Sequence, residues 1–510
     1  MRRFSAVVLV LIGALSHPVP ATAAPGAFDA VLAGSVFSAA LDFIAPRSLD
    51  PTTVPELARW GLHGLTALDP ALAVGDAQGQ LVLRGPDGIL IAQAVPAEAT
   101  GVAWSEAVVT LSAAAWAASE PVRRAGTGGV IQSFFDELFN HLDPYSRYVA
   151  PVAADEDRAQ RSGEGGAGLT LVPMRGGMLI QAVNAEGGGA AAGLLAGDWL
   201  LAVNGRPVRG QPIGTVQDWI AGLEGSQVVL TVARRGYRAR AITVERVVTP
   251  PETVFTTRMG DLLVMRVAAF AEDTAVRMSD ELARAIRPRG RPVRGLVLDL
   301  RGDRGGLLNQ AIESAGLLLK SGPIAATSGR DPQASHAWQA EGGDLLEGRP
   351  VVVLVDGRSA SASEILAAAL SDRGRAVVVG SATYGKGLVQ VVTQLPDGGE
   401  LFVSWSRVIA PLGWPLQGLG VLPQVCTSRG QAALQAQLAS LLGGVDSLGP
   451  ALARVRAARP PVPQAEAVEM RNPCPAAIGH DSDLAAARFL FDHPVAYAAA
   501  LLPGAMAPAP

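Results

Sequence analysis

Lysine is almost missing from this 510-residue chain: of its 42 basic residues only Lys320 and Lys386 are lysine, and the rest are arginine. Arginine serves wherever a plain positive charge is enough, so a retained lysine invites a chemical reason. Arginine keeps its proton in proteins, whereas a desolvated lysine can lose it near neutral pH and act as a general base. Cysteine is nearly as scarce, with Cys426 and Cys474 alone. Two thiols cannot furnish a structural zinc site by themselves, and the six histidines, at 17, 63, 141, 336, 480 and 493, lie far apart without an HExxH spacing. No metal centre and no other cofactor site is expected. Basic blocks are also absent. With a net charge of −4 and scattered arginines, the chain offers nucleic acid or an anionic membrane little to grip. After the first residues no segment supplies the roughly 20 uninterrupted apolar residues of a membrane span, so a stable span is not expected.

What is present begins with residues 1–24, which read as a secretory signal: Arg2 and Arg3, an apolar stretch over 6–15, and the small-residue site Ala21-Thr22-Ala23. The expected product is an exported, periplasmic protein. In an oxidising compartment Cys426 and Cys474 can join and tie the C-terminal tail back to the preceding domain; two buried free thiols are the alternative. At this length, with 49% hydrophobic residues, two to four domains are expected.

Along the chain, residues 25–153 show mostly helical periodicity, strongest over 54–68 and 130–142, with a small hairpin around Pro86-Asp87-Gly88. No chemistry is read there. Residues 154–166 are polar and glycine-rich, which marks a linker. Residues 160–250 form a compact β-rich domain with one helix over 215–223. Residues 251–430 alternate apolar strands with helices, the pattern of a parallel or mixed sheet buried on both faces. In such a sheet the strand-to-helix turns gather at one edge, where ligands bind. Residues 431–510 are rich in Ala and Pro and read as a tail with one capping helix over 483–491.

Two turns at such junctions carry possible chemistry. Ser359-Ala360-Ser361-Ala362-Ser363 follows an apolar strand, and Ser361-x-x-Glu364 is a capping box. Ser361 therefore caps a helix, and the role is compatible with a nucleophile, since a helix N-terminus places N–H groups beside a developing oxyanion. The turn over 299–306, with Gly302, Gly305 and Gly306, reads first as a tight connection needing positive φ. Set across from the serine turn, a Gly305 or Gly306 amide could be a second oxyanion donor. Lys386, between Gly385 and Gly387, lies 25 residues after Ser361. A lysine between glycines is by itself more often a solvated loop residue, and only the wider pattern makes it a base.

That wider pattern resembles the C-terminal processing peptidase, or tail-specific protease, family (serine peptidase family S41). The resemblance rests on Ser-Ala-Ser-Ala-Ser-Glu-Ile from Ser359, Asp372-Arg373-Gly374-Arg375-Ala376, and Thr383-Tyr384-Gly385-Lys386-Gly387-Leu388-Val389-Gln390. Leu298-Asp299-Leu300-Arg301 with Gly305-Gly306, Gln417-Gly418-Leu419-Gly420-Val421 and Leu142-Asp143-Pro144-Tyr145-Ser146 match it in order. It implies a multidomain α/β protein: a crotonase/ClpP-like protease core, an inserted β-rich PDZ domain and a helical N-terminal region. It implies Ser361 as nucleophile, Lys386 as its general base, Gln390 orienting the lysine, and Ala362 with Gly305 or Gly306 as oxyanion donors. Gly168, Leu169, Thr170 and Leu171 would stand in the PDZ carboxylate-binding loop, taking a substrate's C-terminus as an added strand. The implied partners are protein or peptide substrates with a free C-terminus, and an adaptor protein. The implied activity is that of a serine endopeptidase acting near C-termini.

One departure stands beside the match. The family's turn reads Asn-Pro before Gly-Gly, whereas this chain has Asp303-Arg304, so the loop is expected to sit differently or to respond to charge. A catalytically dead PDZ scaffold and a Ser-Lys esterase or amidase remain as alternatives.

Overall fold

The computed structural model describes residues 26–503 except 163, 185, 235 and 287–292. The expected signal over 1–24 lies outside these residues.

The centre is a six-stranded sheet in the order Val254–Met259, Leu262–Val267, Gly295–Asp299, Val351–Val355, Val377–Gly380, Val425–Cys426. Its first pair is antiparallel and the rest are parallel. Val351–Val355 is buried at every position, as a strand covered on both faces requires. One face packs under helices Thr274–Ile286, Leu308–Gly316 and Ala362–Asp372, with Leu298, Val353, Leu366 and Val378 in their shared core. The other face, with Val297, Val352, Leu354 and Val379, is covered by Leu434, Leu441, Leu490 and Phe491.

Those last residues belong to the segment expected to be a tail with one helix. Its described residues hold five: Gln431–Leu442, Gly449–Ala457, Gln464–Arg471, Asp481–Asp492 and Pro494–Ala500. Its abundant alanine is what a helix needs to lie close against a flat sheet, and the apolar area it removes from water, at about 25 cal/mol per Å², makes it part of the core. A disulfide joins Cys426 on the last strand to Cys474.

A second sheet, absent from the sequence reading, runs Ala337–Glu341, Ser321–Gly329, Glu400–Ile409, Leu388–Gln394. A short strand, Arg147–Val149, pairs with Glu400, Leu401 and Phe402, so the N-terminal region ends as part of this sheet. Leu395, Leu401 and Val403 complete the core built by the N-terminal helices Ala30–Arg47, Val54–Leu62, Gly101–Ala118 and Glu120–Phe139. Ala30–Arg47 is long and apolar enough to cross a membrane, contrary to the expectation that no such segment follows the signal. Its Val36, Phe37, Leu41 and Ile44 are buried in that core.

The expected linker over 154–166 is instead the helix Pro151–Ser162 and the strand Glu164–Gly166. Its polar residues have partners: Arg158 and Arg161 pair with Glu400 at 2.8 and 2.7 Å. Glu164–Gly166 pairs with Val247–Thr249, so the two chain crossings into the next unit are zipped together. That unit is a sheet in the order Arg240–Glu245, Gln227–Ala233, Trp199–Val203, Gly177–Val183, Leu169–Met174, with its own core of Leu171, Ile180, Leu200, Val216, Leu230 and Val244. Its helix, Ile213–Ile220, stops short of the expected 223, where Leu223 is exposed.

Candidate active site

Three neighbouring parallel strands end at one edge of the central sheet. Asp299 opens the glycine turn, Val355 the serine turn and Gly380 the lysine loop, in registers Asp299↔Leu354 and Val355↔Gly380. Segments that lie 25 to 80 residues apart in sequence thus meet because parallel crossovers return to the same edge.

Ser361 is the N-cap of helix Ala362–Asp372 and has φ 57°, a left-handed conformation uncommon for a residue with a Cβ. The strain is held by the surroundings. Ala360 N–H and the Ser363 hydroxyl both donate to the Asp303 carbonyl, at 3.0 and 3.1 Å. Ser359 Oγ donates to the Leu300 carbonyl at 2.8 Å. Asp356 accepts from Gly302, Arg358, Ser359 and Gly479 N–H groups; burial works against its ionisation, yet these four donors hold it below the usual carboxylate range.

Gly305 packs directly on the serine: a Cβ there would stand 2.8 Å from Ser361 Cβ and 2.9 Å from Ala362 N. With φ +97° as well, only glycine fits. Gly305 N–H is taken, donating to Asp303 Oδ1 at 2.7 Å. Among the described residues Gly306 N–H has no acceptor, and the Ala362 amide, first in its helix, has none within the helix. Of the two glycines, Gly306 is the one with a donor to spare.

Lys386 is half-buried. Its Nζ donates to Gln390 Oε1 at 3.3 Å and lies 5.2 Å from the centre of the Tyr145 ring. Among the described residues no hydrogen bond joins it to Ser361. Burial pushes the lysine below its ordinary pKa, helped by Arg147 and opposed by Asp143 and Glu364. Gln390, on Leu388–Gln394, uses its other end to donate to the Tyr145 carbonyl, so it is fixed at both ends.

Three residues that the sequence reading did not assign to the site complete it. Glu364, fully buried, accepts from Ser361 N–H at 2.7 Å and Lys386 N–H at 2.8 Å through one oxygen. Through the other it accepts from Gly385 N–H at 2.6 Å and Thr383 Oγ at 2.5 Å. Burial raises its pKa, and the four donors oppose that. The capping box pointed to Glu364, but only as a helix cap. Tyr145 belongs to the turn in which no chemistry was read; Asp143 and Ser146 dock it on Ser404, at 2.7 and 2.9 Å. Arg471, from the supposed tail, donates to the Thr383, Tyr384, Gly418 and Leu419 carbonyls and clamps the lysine loop from outside.

Gly168, Leu169, Thr170 and Leu171 lie elsewhere. They line a groove of about 1130 Å³ between the edge strand Leu169–Met174, the helix Ile213–Ile220 and the central helix Thr274–Ile286. Among the described residues no strand pairs with its outer edge, since the sheet ends there. The described residues hold no cluster of three or more metal-ligating side chains.

Comparison with known proteins bears on both parts. Residues 261–427 match the model of peptidase family S41, and residues 179–234 match a PDZ domain. A carboxy-terminal-processing protease of Bartonella bacilliformis is 32% identical over 303 residues, covering 58% of this chain and 69% of the relative. A chloroplastic C-terminal processing peptidase of Tetradesmus obliquus is 31% identical over 329 residues, 60% of this chain and 69% of its own length. Among solved structures, a photosystem II D1 C-terminal processing protease aligns at 26% identity and TM-score 0.36, covering 72% of this chain and 92% of that one. The chain belongs to peptidase family S41, as a serine-type peptidase of the carboxy-terminal-processing kind that carries a PDZ domain.

Proposed function

We propose that this protein is an exported, periplasmic endopeptidase that cleaves polypeptides near their C-termini through a Ser361-Lys386 dyad. The observation that carries the reading is the single buried carboxylate of Glu364, which bonds the backbone of both residues and so sets the serine turn and the lysine loop against each other. Lys386, desolvated and below its ordinary pKa, takes the Ser361 proton as Oγ attacks the scissile carbonyl carbon. The resulting oxyanion is received by the Ala362 and Gly306 amides. The ammonium then gives its proton to the departing amine as the C–N bond breaks. Water attacks the acyl-enzyme, passes a proton to Lys386, and Ser361 leaves reprotonated. Gln390, held at both ends, orients the amine.

The PDZ domain takes the substrate's C-terminus. The free edge of Leu169–Met174 accepts an added strand, and Gly168 to Leu171 receive its carboxylate. An adaptor that delivers substrates would use the same groove. The test is cleavage, by the full chain, of one unfolded polypeptide with either a free or an amidated C-terminus. The expected result is rapid cleavage of the free form, slow cleavage of the amide, and none with Ser361→Ala or Lys386→Arg. Equal rates for the two forms remove the capture role, and full activity in either variant removes the dyad.

A further inference from the structure

The turn that packs on Ser361 contains a carboxyl group that the dyad does not use. Asp303 is fully buried, and its Oδ1 accepts from Gly305 N–H at 2.7 Å while its Oδ2 has no hydrogen-bond partner among the described residues. Its backbone carbonyl receives both Ala360 N–H and the Ser363 hydroxyl. Asp303 therefore holds the glycine turn from one side and the serine turn from the other. Charged groups nearby do little to neutralise it. Arg266 on Leu262–Val267 is exposed, Arg304 is exposed, and Arg301 is engaged by Asp299 and Asp483. Asp356, facing the turn from the serine strand, is itself anionic and spent on Gly302 and its other donors.

Resting on the dyad reading above, we infer that Asp303 is a positioning residue for the oxyanion site, competent when its carboxyl is neutral and inhibitory when it is ionised. The neutral carboxyl still accepts from Gly305 through its carbonyl oxygen, so the turn keeps its place against Ser361. The ionised form adds a buried negative charge beside the amides that must receive a second one. Within a few ångströms, at an effective dielectric of about 20, that repulsion costs a factor of ten or more in rate. Burial pushes this carboxyl from 3.8 to about 7, against the Gly305 bond, the Ser363 hydroxyl nearby and the Arg266 charge, which places the change in the working range of pH. Asparagine, in the family pattern at this place, cannot ionise.

The experiment compares wild type, Asp303→Asn and Asp303→Ala in full-length protein, reading kcat and KM across neutral pH together with Tm. Wild type should show a fall in kcat as Asp303 ionises through neutral pH, set against the rise that lysine deprotonation brings. Asp303→Asn should lose the falling limb, with kcat about tenfold above wild type on the alkaline side and KM unchanged. Asp303→Ala, with nothing to receive Gly305 N–H, should lose kcat at every pH. Because the folded carboxyl holds its proton above the unfolded value, wild type should lose Tm relative to Asp303→Asn as pH rises from about 4 to about 7. Identical pH profiles and a Tm difference that does not change with pH overturn the inference and leave the dyad standing. Cleavage that survives Ser361→Ala overturns the dyad and this inference with it.

Discussion

Replacing Glu364 by Gln changes one atom in the most heavily bonded side chain of the site. Its four donors lie 2.5 to 2.8 Å away, two on each oxygen. Glutamine keeps one acceptor oxygen and points an NH2 at the other pair. If that pair is Ser361 and Lys386, two backbone N–H groups lose their acceptor and meet a donor. If it is Thr383 and Gly385, the Gly385 N–H loses its acceptor and meets a donor, and the Thr383 hydroxyl, which already accepts from Val421 N–H at 2.7 Å, gives up its donated bond and turns its remaining lone pair to the amide. Bonds to a charged group are worth about 1.5–3 kcal/mol each, which gives a loss of about 3–6 kcal/mol. Relief from ionising a fully buried carboxyl offsets part of it, leaving about 2–4 kcal/mol. Urea unfolding followed by circular dichroism measures the stability, and the rate of Ser361 acylation by an activated p-nitrophenyl ester measures the alignment of the serine and lysine segments. The expected variant folds, is less stable by that amount and acylates at least tenfold more slowly. A stability change below about 1 kcal/mol with unchanged acylation would refute the view that this carboxylate sets the two segments against each other.

Three further outcomes follow from the same geometry. Lys386→Arg keeps the charge but cannot lose its proton, so cleavage should vanish with unfolding unchanged; in Asp303→Asn, where no turn carboxyl titrates against it, the rate should rise with pH through a value below the ordinary 10.5 of lysine, and a flat profile would count against a titrating base. Gly305→Ala meets Ala360 O at 2.7 Å and Ser361 Cβ at 2.8 Å at φ +97°, and should abolish acylation while a PDZ-binding peptide still binds with native affinity, measured by calorimetry. Cys426→Ser with Cys474→Ser releases a crosslink over 48 residues, for which chain entropy predicts a loss of about 4 kcal/mol; the wild-type melt in reductant should fall to the double variant's Tm, which reductant itself should not move.

Much of the site was legible because its chemistry sits in short local patterns. A lysine in a chain that otherwise uses arginine, a serine at a capping box after an apolar strand, and a double-glycine turn each announce themselves within a few residues. The aspartate in that turn was visible as a departure from Asn-Pro. The long apolar strands were legible too, since a sheet covered on both faces leaves no alternation of polar and apolar positions. The fully buried Val351–Val355 is such a strand.

Elements whose role depends on a distant partner were not legible. The helix Pro151–Ser162 reads as linker until Glu400 is placed under Arg158 and Arg161. Asp481–Asp492 reads as a capping helix with nothing to say what it caps, and Pro494–Ala500 as a loose end, until Ala486, Leu490 and Ala496 are laid on the sheet. No local pattern tells that Tyr145 will stand over Lys386, or that Arg471 will clamp the loop carrying it. Residue types and local spacing determined which groups could do chemistry. Their meeting was decided by the tertiary structure, because parallel crossovers, a buried carboxylate and a folded-back C-terminal segment bring together groups that the sequence keeps far apart.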